Sequence, residues 1–127
     1  MTKKLLLDTD VLIDYLRGQE QAVAYLEILT EHLLISSITV AELYAGVREG
    51  NERKTLDEFI NAFDVVMVSK EITQIGGLYR RHYAKSHKIG LADAVIAATA
   101  DLSQATLVTL NREHYPMLES VILPYRK

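Results

Sequence analysis

The chain has 127 residues, enough for one sizeable core, and 49% of them are hydrophobic. It contains no cysteine, which excludes disulfides and thiolate metal sites and fits a reducing, cytoplasmic location. The net charge of -3 argues against a globally basic nucleic-acid-binding surface, and no apolar run approaches the roughly 18 residues of a membrane span.

Short apolar runs alternate with helical patterns along the chain, which is typical of an α/β protein with a mainly parallel sheet. In chain order, the patterns predict a strand at Lys4–Leu7, a helix at 10–17 stopped by Gly18, a helix with the stripe Ala22, Leu26 and Leu29, and a strand at Leu33–Ser36. A helix at about 39–48, a helix with the stripe Leu56, Phe59, Ile60 and Phe63, and a strand at Val65–Val68 follow. The last predicted elements are a long helix to about Ser86, a helix at 91–103, a strand at Thr106–Leu110 and an edge strand at Val121–Leu123. No repeat or linker divides these elements, so we expect a single domain over residues 1–127.

Polar side chains stand at the ends of the predicted strands. Asp8 directly follows the first strand, Asn111 directly follows the apolar run LVTL, and Glu42 lies one turn into the helix after the second strand. Open parallel sheets bind ligands in the crevice beyond the carboxyl ends of their strands. Each residue also has a local explanation. Asp8 and Asn111 are candidate helix caps, and Thr39 to Glu42 fits a capping box.

Asp93 is harder to explain locally, although a carboxylate near a helix N-terminus is favoured by the helix dipole. In the stretch GLADAVIAATADL it lies in the first turn of a helix that is apolar nearly all round, which indicates a covered helix. An unpaired buried carboxylate is unfavourable, and no Lys or Arg lies within one helical turn of Asp93. The nearest upstream candidates, Lys85 and Lys88, require the preceding loop to fold back. Asp93 therefore faces either a partner charge or a polar cavity.

Several carboxylates in one cleft repel each other, and at least one then has a raised pKa. A divalent cation removes this conflict, and Mg²⁺ and Mn²⁺ prefer oxygen ligands. Such a cation can activate water for attack on a phosphate ester. The acids make the strand ends a candidate metal site, although their spacing does not require them to converge.

Four stretches of the chain together resemble a known family. These are LLLDTDVLIDYLRG (5–18), ISSITVAELYAGV (35–47), IGLADAVIAATA (89–100) and LVTLNREHYPML (107–118). In this order they are similar to the PIN-domain ribonucleases, specifically the VapC toxins of VapBC toxin–antitoxin pairs. Each stretch is weak alone, but four in register are a specific signal.

The resemblance implies a three-layer α/β/α sandwich around a mainly parallel sheet. It also implies a Mg²⁺- or Mn²⁺-dependent endoribonuclease that acts on RNA and is restrained by a cognate VapB-type antitoxin, with homodimers common in the family. The family's first, second and third acids fall on Asp8, Glu42 and Asp93. By this resemblance Asp8 and Asp93 are direct metal ligands, and Glu42 helps to hold the metal or its water.

The chain departs from the family pattern at two positions. Asp10 stands where Asn or Ser is common, two residues after the first acid. A fourth acid that many members carry after the LVTL-like strand falls on His114, while the family's Asn is kept as Asn111. Asn111 can orient a water molecule without adding charge, so the fourth position is open among Asn111, Glu113 and His114.

Other functions fit part of the sequence. The string LLLDTDV resembles the start of a haloacid-dehalogenase-type phosphatase, with Asp8 as nucleophile, Asp10 as acid/base, and Thr109 and Lys70 as phosphate-binding residues. This alternative leaves Glu42 and Asp93 unexplained. The missing fourth acid also leaves open a catalytically silent, RNA-binding PIN domain. A basic cluster at residues 80–88 is either a patch for the RNA backbone or an ordinary solvated face.

Overall fold

The structure, a computed structural model, describes residues 3–126, so residues 1, 2 and 127 of the predicted domain lie outside the described part. Its strands are β1 (Lys4–Leu7), β2 (His32–Ser36), β3 (Asp64–Val66), β4 (Thr106–Val108) and β5 (Val121–Ile122). Its helices are α1 (Thr9–Leu16), α2 (Glu20–Glu27), α3 (Ser37–Ala45), α4 (Asn51–Ile60), α5 (Lys70–His87) and α6 (Leu91–Ser103). A short 3₁₀ helix, Arg112–His114, lies between β4 and β5.

The strands form one sheet in the order β3-β2-β1-β4-β5, and all four pairings are parallel. The first strand is central, because Leu5 pairs with Leu33 of β2 on one side and with Thr106 of β4 on the other. The carboxyl ends of β1, β2 and β4 therefore lie at the same edge of the sheet, which is where ligands bind in such folds.

Alternate residues of β1 pack into two separate cores. Leu5 and Leu7 join side chains of α1 to α4, whereas Leu6 joins Ile96 and Ala97 of α6 on the opposite face. This alternation follows from the two-residue period of a strand. Helices cover both faces of a parallel sheet, which confirms the predicted three-layer α/β/α fold.

The predicted covering of α6 is confirmed for its centre, because every residue from Ala94 to Ala100 is buried. Its ends are open, with Leu91 61% and Leu102 39% exposed. α5 packs directly on α6 at Gly76, where an added Cβ would lie 3.0 Å from the Cα of Val95. No helix among residues 3–126 has the length and apolar character needed to cross a membrane.

Three strands end earlier than predicted: β5 stops at Ile122, one residue before Leu123, and at the ends of β3 and β4 side chains replace the sheet hydrogen bonds. The backbone N–H of Leu110, predicted as the last residue of β4, donates to Asp10 Oδ2 at 3.1 Å. The N–H of Val68, predicted as the last residue of β3, donates to Ser37 Oγ at 3.0 Å. These polar contacts turn the chain away from the sheet.

The capping box proposed for Thr39 and Glu42 is wrong. α3 begins two residues before Thr39, and its N-cap is Ser36, whose side chain accepts from the N–H of Ile38 at 3.1 Å. Glu42 therefore lies in the second turn of α3. The unpaired N–H groups belong to the first turn, so Glu42 does not cap the helix. Its carboxylate is available for another role.

Candidate active site

Asp8 lies where the sheet meets the helices, after β1 and at the N-cap of α1. Its Oδ1 accepts from the N–H of Thr9 at 2.8 Å, so the predicted capping role is confirmed. Its Oδ2 accepts from Thr109 Oγ1 at 2.7 Å and from the Tyr115 hydroxyl at 2.8 Å. The side chain is only 5% exposed. The cap thus accounts for one oxygen, and the second faces a pocket built by residues distant in sequence.

Asp93 meets Asp8 through Tyr115. The Tyr115 hydroxyl that donates to Asp8 also lies 3.3 Å from Asp93 Oδ1. The other oxygen of Asp93 is 3.2 Å from Nδ1 of His114, and the Asp93 side chain is 30% exposed. The partner that sequence reasoning sought among Lys85 and Lys88 is therefore His114, at the end of the 3₁₀ helix.

Asp10 organises the segment that follows β4. Its Oδ2 accepts from the N–H of Leu110 and from the side-chain amide of Asn111, at 3.1 and 3.0 Å. Its Oδ1 is buried and has no hydrogen-bond partner among the described residues. Asn111 is thus held by Asp10, the residue that stands where Asn or Ser is common in the family.

Glu42 reaches the site indirectly. It is exposed on α3, but its Oε1 accepts from Thr9 Oγ1 at 2.6 Å, and the same hydroxyl lies 2.9 Å from Thr39 Oγ1. Because Thr9 directly follows Asp8, this hydrogen bond turns the Glu42 carboxylate toward the carboxyl end of β1. Glu113, the other acid considered, is exposed in the 3₁₀ helix.

Within residues 3–126 no Lys or Arg forms an ion pair with Asp8, Asp10 or Asp93, and the pKa values of buried groups in the site are raised. Burial raises the pKa of Asp8, and the Asp93 charge adds to the increase, while hydrogen bonds from Thr109 and Tyr115 oppose it. Burial and the charge of Asp8 raise the pKa of Asp10 to about 7. Burial, followed by the charges of Asp8 and Asp93, raises the pKa of the Tyr115 hydroxyl. The repulsion between these carboxyl groups therefore favours the binding of a cation at the site.

The chemistry of the donor set fits a hard divalent cation. Oxygens of Asp8 and Asp93 face one hydroxyl group, and a buried oxygen of Asp10 has no hydrogen-bond partner among the described residues. Within residues 3–126 no three acidic or histidine side chains are grouped closely enough to hold an ion by themselves. Mg²⁺ characteristically binds through one or two carboxylates and keeps several waters, so two protein ligands match its needs.

A groove lies on the Glu42 side of the site. Its volume is about 590 Å³, and it runs between α1, α3 and α4. Its lining combines apolar side chains with two arginines and two glutamates: Ile13, Leu43 and Val47, Arg17 and Arg48, and Glu42 and Glu52. The groove is therefore continuous with an acid of the candidate site.

Sequence reasoning missed the residues that connect the acids. The sequence patterns assign no role to Tyr115 or Thr9, and Thr109 enters only in the phosphatase alternative. The sequence offered a weak indication of a site role for Thr109, because its hydroxyl lies only two positions before Asn111. Tyr115 carried none, because it is one of seven tyrosines and nothing local shows that it reaches β1.

The fold and site together define a class: α/β/α proteins with a carboxylate cluster at the carboxyl edge of a parallel sheet. A model of the PIN domain matches residues 5–117. Ribonuclease VapC19 of Mycobacterium tuberculosis is 39% identical over 124 residues, covering 94% of this chain and 98% of that protein. The chain therefore belongs to the PIN-domain family, and the phosphatase alternative is not favoured.

Solved structures agree with this assignment. A toxin–antitoxin complex from Klebsiella pneumoniae contains a chain with a TM-score of 0.84 and 28% identity, covering 97% of this chain and 99% of that one. FitAcB from Neisseria gonorrhoeae matches with a TM-score of 0.75 and 32% identity, covering 94% and 97%. The likeness extends over nearly the whole length of each chain.

Proposed function

We propose that this chain is the toxin of a VapBC-type pair, a single-domain endoribonuclease that hydrolyses RNA phosphodiester bonds with Mg²⁺ or Mn²⁺. Its relatives are named ribonucleases, and its structural neighbours come from toxin–antitoxin complexes. The observation that carries the proposal is the meeting of Asp8 and Asp93 at one buried hydroxyl. A purely structural pair of capping carboxylates has no need to share one proton donor.

Asp8 and Asp93 would hold the cation, and Glu42 would assist. The cation, when bound, activates a water molecule for attack on phosphorus and offsets charge on the phosphate. Thr9 holds the carboxylate of Glu42 on the open side of the site. The side-chain nitrogen of Asn111 donates to Asp10, which leaves the amide oxygen of Asn111 to accept a hydrogen bond from a water molecule and orient it.

The basic cluster at residues 80–88 would bind the RNA backbone. Its cations Arg80, Arg81, Lys85 and Lys88 are all exposed, and the cluster ends just before the N-terminus of α6. Asp93 lies in the first turn of that helix. A phosphate backbone held by these side chains would thus run toward the acids, which offsets the repulsion expected from a net charge of -3.

A cognate VapB-type antitoxin would bind in the groove beside Glu42. The apolar lining suits a segment with apolar side chains, and the two arginines beside two glutamates suit a segment that carries both kinds of charge. Such a segment would block access to the acids from this side. Val47→Asp, at the groove, should weaken inhibition by the antitoxin without lowering RNA cleavage by the free toxin. Equal inhibition of variant and wild type would place the antitoxin elsewhere.

The function is tested by incubating the purified protein with RNA pools in Mg²⁺ and in EDTA. Asp8→Asn and Asp93→Asn should each remove metal-dependent cleavage while the protein stays folded. The matched control is Asp101→Asn, which should retain cleavage. Asp101 lies on the same helix as Asp93 but accepts a hydrogen bond from the Tyr79 hydroxyl. Wild-type RNA binding without cleavage would instead indicate a catalytically silent PIN domain.

A further inference from the structure

We propose that the Tyr115 hydroxyl takes the place of the cation in the metal-free protein, where it holds Asp8 and Asp93 together until a divalent cation displaces its hydrogen bond. Tyr115 is then a positioning residue that orders the two acids and also competes with the cation. This inference rests on the proposed function, because it takes these two acids as the cation's ligands.

The contacts of Tyr115 carry the inference. Its hydroxyl oxygen lies 2.8 Å from Asp8 Oδ2 and 3.3 Å from Asp93 Oδ1. A phenol has one hydrogen to donate, so it forms the shorter bond with Asp8 and leaves a weaker contact with Asp93. It offsets the repulsion between the acids only in part. A divalent cation held by Asp8 and Asp93 would carry enough positive charge to balance both carboxylates.

The aromatic ring cannot move aside easily. Tyr115 is 2% exposed and packs with Leu6, Leu34, Ile96 and Leu107 beneath the sheet. Its backbone is also tied, since its N–H donates to the carbonyl of Arg112 at 3.0 Å. The ring is therefore held in place, so a cation would displace the hydrogen bond by a shift of the carboxylates and not of the ring.

The hydroxyl acts as a donor and not as an anionic ligand. A phenol keeps its hydrogen at neutral pH, and the 2.8 Å distance to Asp8 Oδ2 shows that the oxygen donates it. In the metal-free protein that hydrogen stabilises the charged form of Asp8. With a cation held by Asp8 and Asp93, less carboxylate charge would be available to the hydroxyl, and this stabilisation would weaken. Removing the hydroxyl should therefore destabilise the metal-free state more than the cation-bound state.

The test measures Mn²⁺ binding and thermal unfolding for wild type and Tyr115→Phe, which loses only the hydroxyl oxygen. We expect Tyr115→Phe to have a lower Tm in EDTA, a larger Mn²⁺-induced rise in Tm, and a dissociation constant for Mn²⁺ about three- to tenfold lower. Titration calorimetry with Mn²⁺ alone gives the constant without any assay of cleavage.

Tyr125→Phe is the matched control. Tyr125 is also buried, and its hydroxyl donates to Asp14 Oδ2 at 2.9 Å. Asp14 lies on α1, away from Asp8 and Asp93. We expect this variant to have a lower Tm in EDTA and an unchanged affinity for Mn²⁺. The pair of variants separates a general loss of a buried hydrogen bond from an effect on the cation.

Unchanged or weaker Mn²⁺ binding by Tyr115→Phe, with Mn²⁺ binding by wild type that Asp8→Asn removes, would overturn the inference and leave the proposed function standing. Wild-type protein that binds no Mn²⁺ through Asp8 and Asp93 would overturn both. Tighter binding by Tyr115→Phe and Tyr125→Phe alike would also overturn the inference, because the effect would not depend on contact with the acids.

Discussion

His114 faces Asp93, with Nδ1 of the ring 3.2 Å from Oδ2 of the carboxylate. This is the position where the family resemblance places a fourth acid. An imidazole is neutral or positively charged, whereas a carboxylate is negatively charged. The two groups therefore differ in the charge that they present to a cation. The residue at position 114 therefore sets the charge around Asp93.

Replacing His114 with Asp should convert the site to the four-acid pattern. The added charge beside Asp93 should lower the Tm in EDTA by roughly 3–5 °C, because like charges repel. It should also lower the dissociation constant for Mn²⁺ about tenfold. His114→Asn has nearly the same shape as the Asp variant without its charge, so it should not bind Mn²⁺ more tightly. Equal Mn²⁺ affinity in both variants would contradict a role for charge at this position.

The metal-free protein should lose stability as pH rises from about 4 to about 7. Asp8 has a raised pKa, and that of Asp10 is raised to about 7, so the folded state binds more protons than the unfolded state in this range. Deprotonation on approach to pH 7 then disfavours folding. Thermal unfolding in EDTA across this range should show a smaller decline in Asp10→Asn than in wild type. If the stability of Asp10→Asn and of wild type declined equally with pH, the pKa of Asp10 would be the same in the folded and unfolded chain.

The contact between α5 and α6 should tolerate no added methyl group at Gly76. A Cβ there would meet the backbone of Val95 at 3.0 Å, whereas nothing lies within 4 Å of a Cβ at Gly77. Gly76→Ala should therefore lower the free energy of unfolding by about 1–3 kcal/mol. Gly77→Ala, on the exposed side of the same helix, should raise it by roughly 0.5–1 kcal/mol through helix propensity. Urea unfolding measures both, and equal effects would refute the close packing.

The Thr9 hydroxyl should matter for cleavage through Glu42. Thr9→Val keeps the shape of the side chain but removes the 2.6 Å hydrogen bond to Glu42, so RNA cleavage should fall about tenfold. Thr9→Ser keeps a hydroxyl and should retain most of the activity. In a Glu42→Ala background, Thr9→Val should have little further effect on cleavage. An undiminished effect in that background would show that Thr9 acts by another route.

Local sequence patterns predicted most of the elements, because each depends on residues close together in the chain. The apolar run of β1, the helix stop at Gly18 (φ +76°) and the apolar stretch of α6 all encode their own structure. The same local chemistry made Asp8 an N-cap. The errors fell at element ends, where Asp10 and Ser37 replace sheet hydrogen bonds from a distance.

The sequence by itself determined the order of strands and helices, the alternating faces of β1 and the candidate acids at the strand ends. Only the tertiary structure decided which of those acids share a partner. The sheet order places β4 beside β1, and this brings Thr109 and Tyr115 to Asp8 across about a hundred residues of chain. No local pattern encodes that meeting, because it depends on which strands pair, and strand pairing is set by the packing of the whole core.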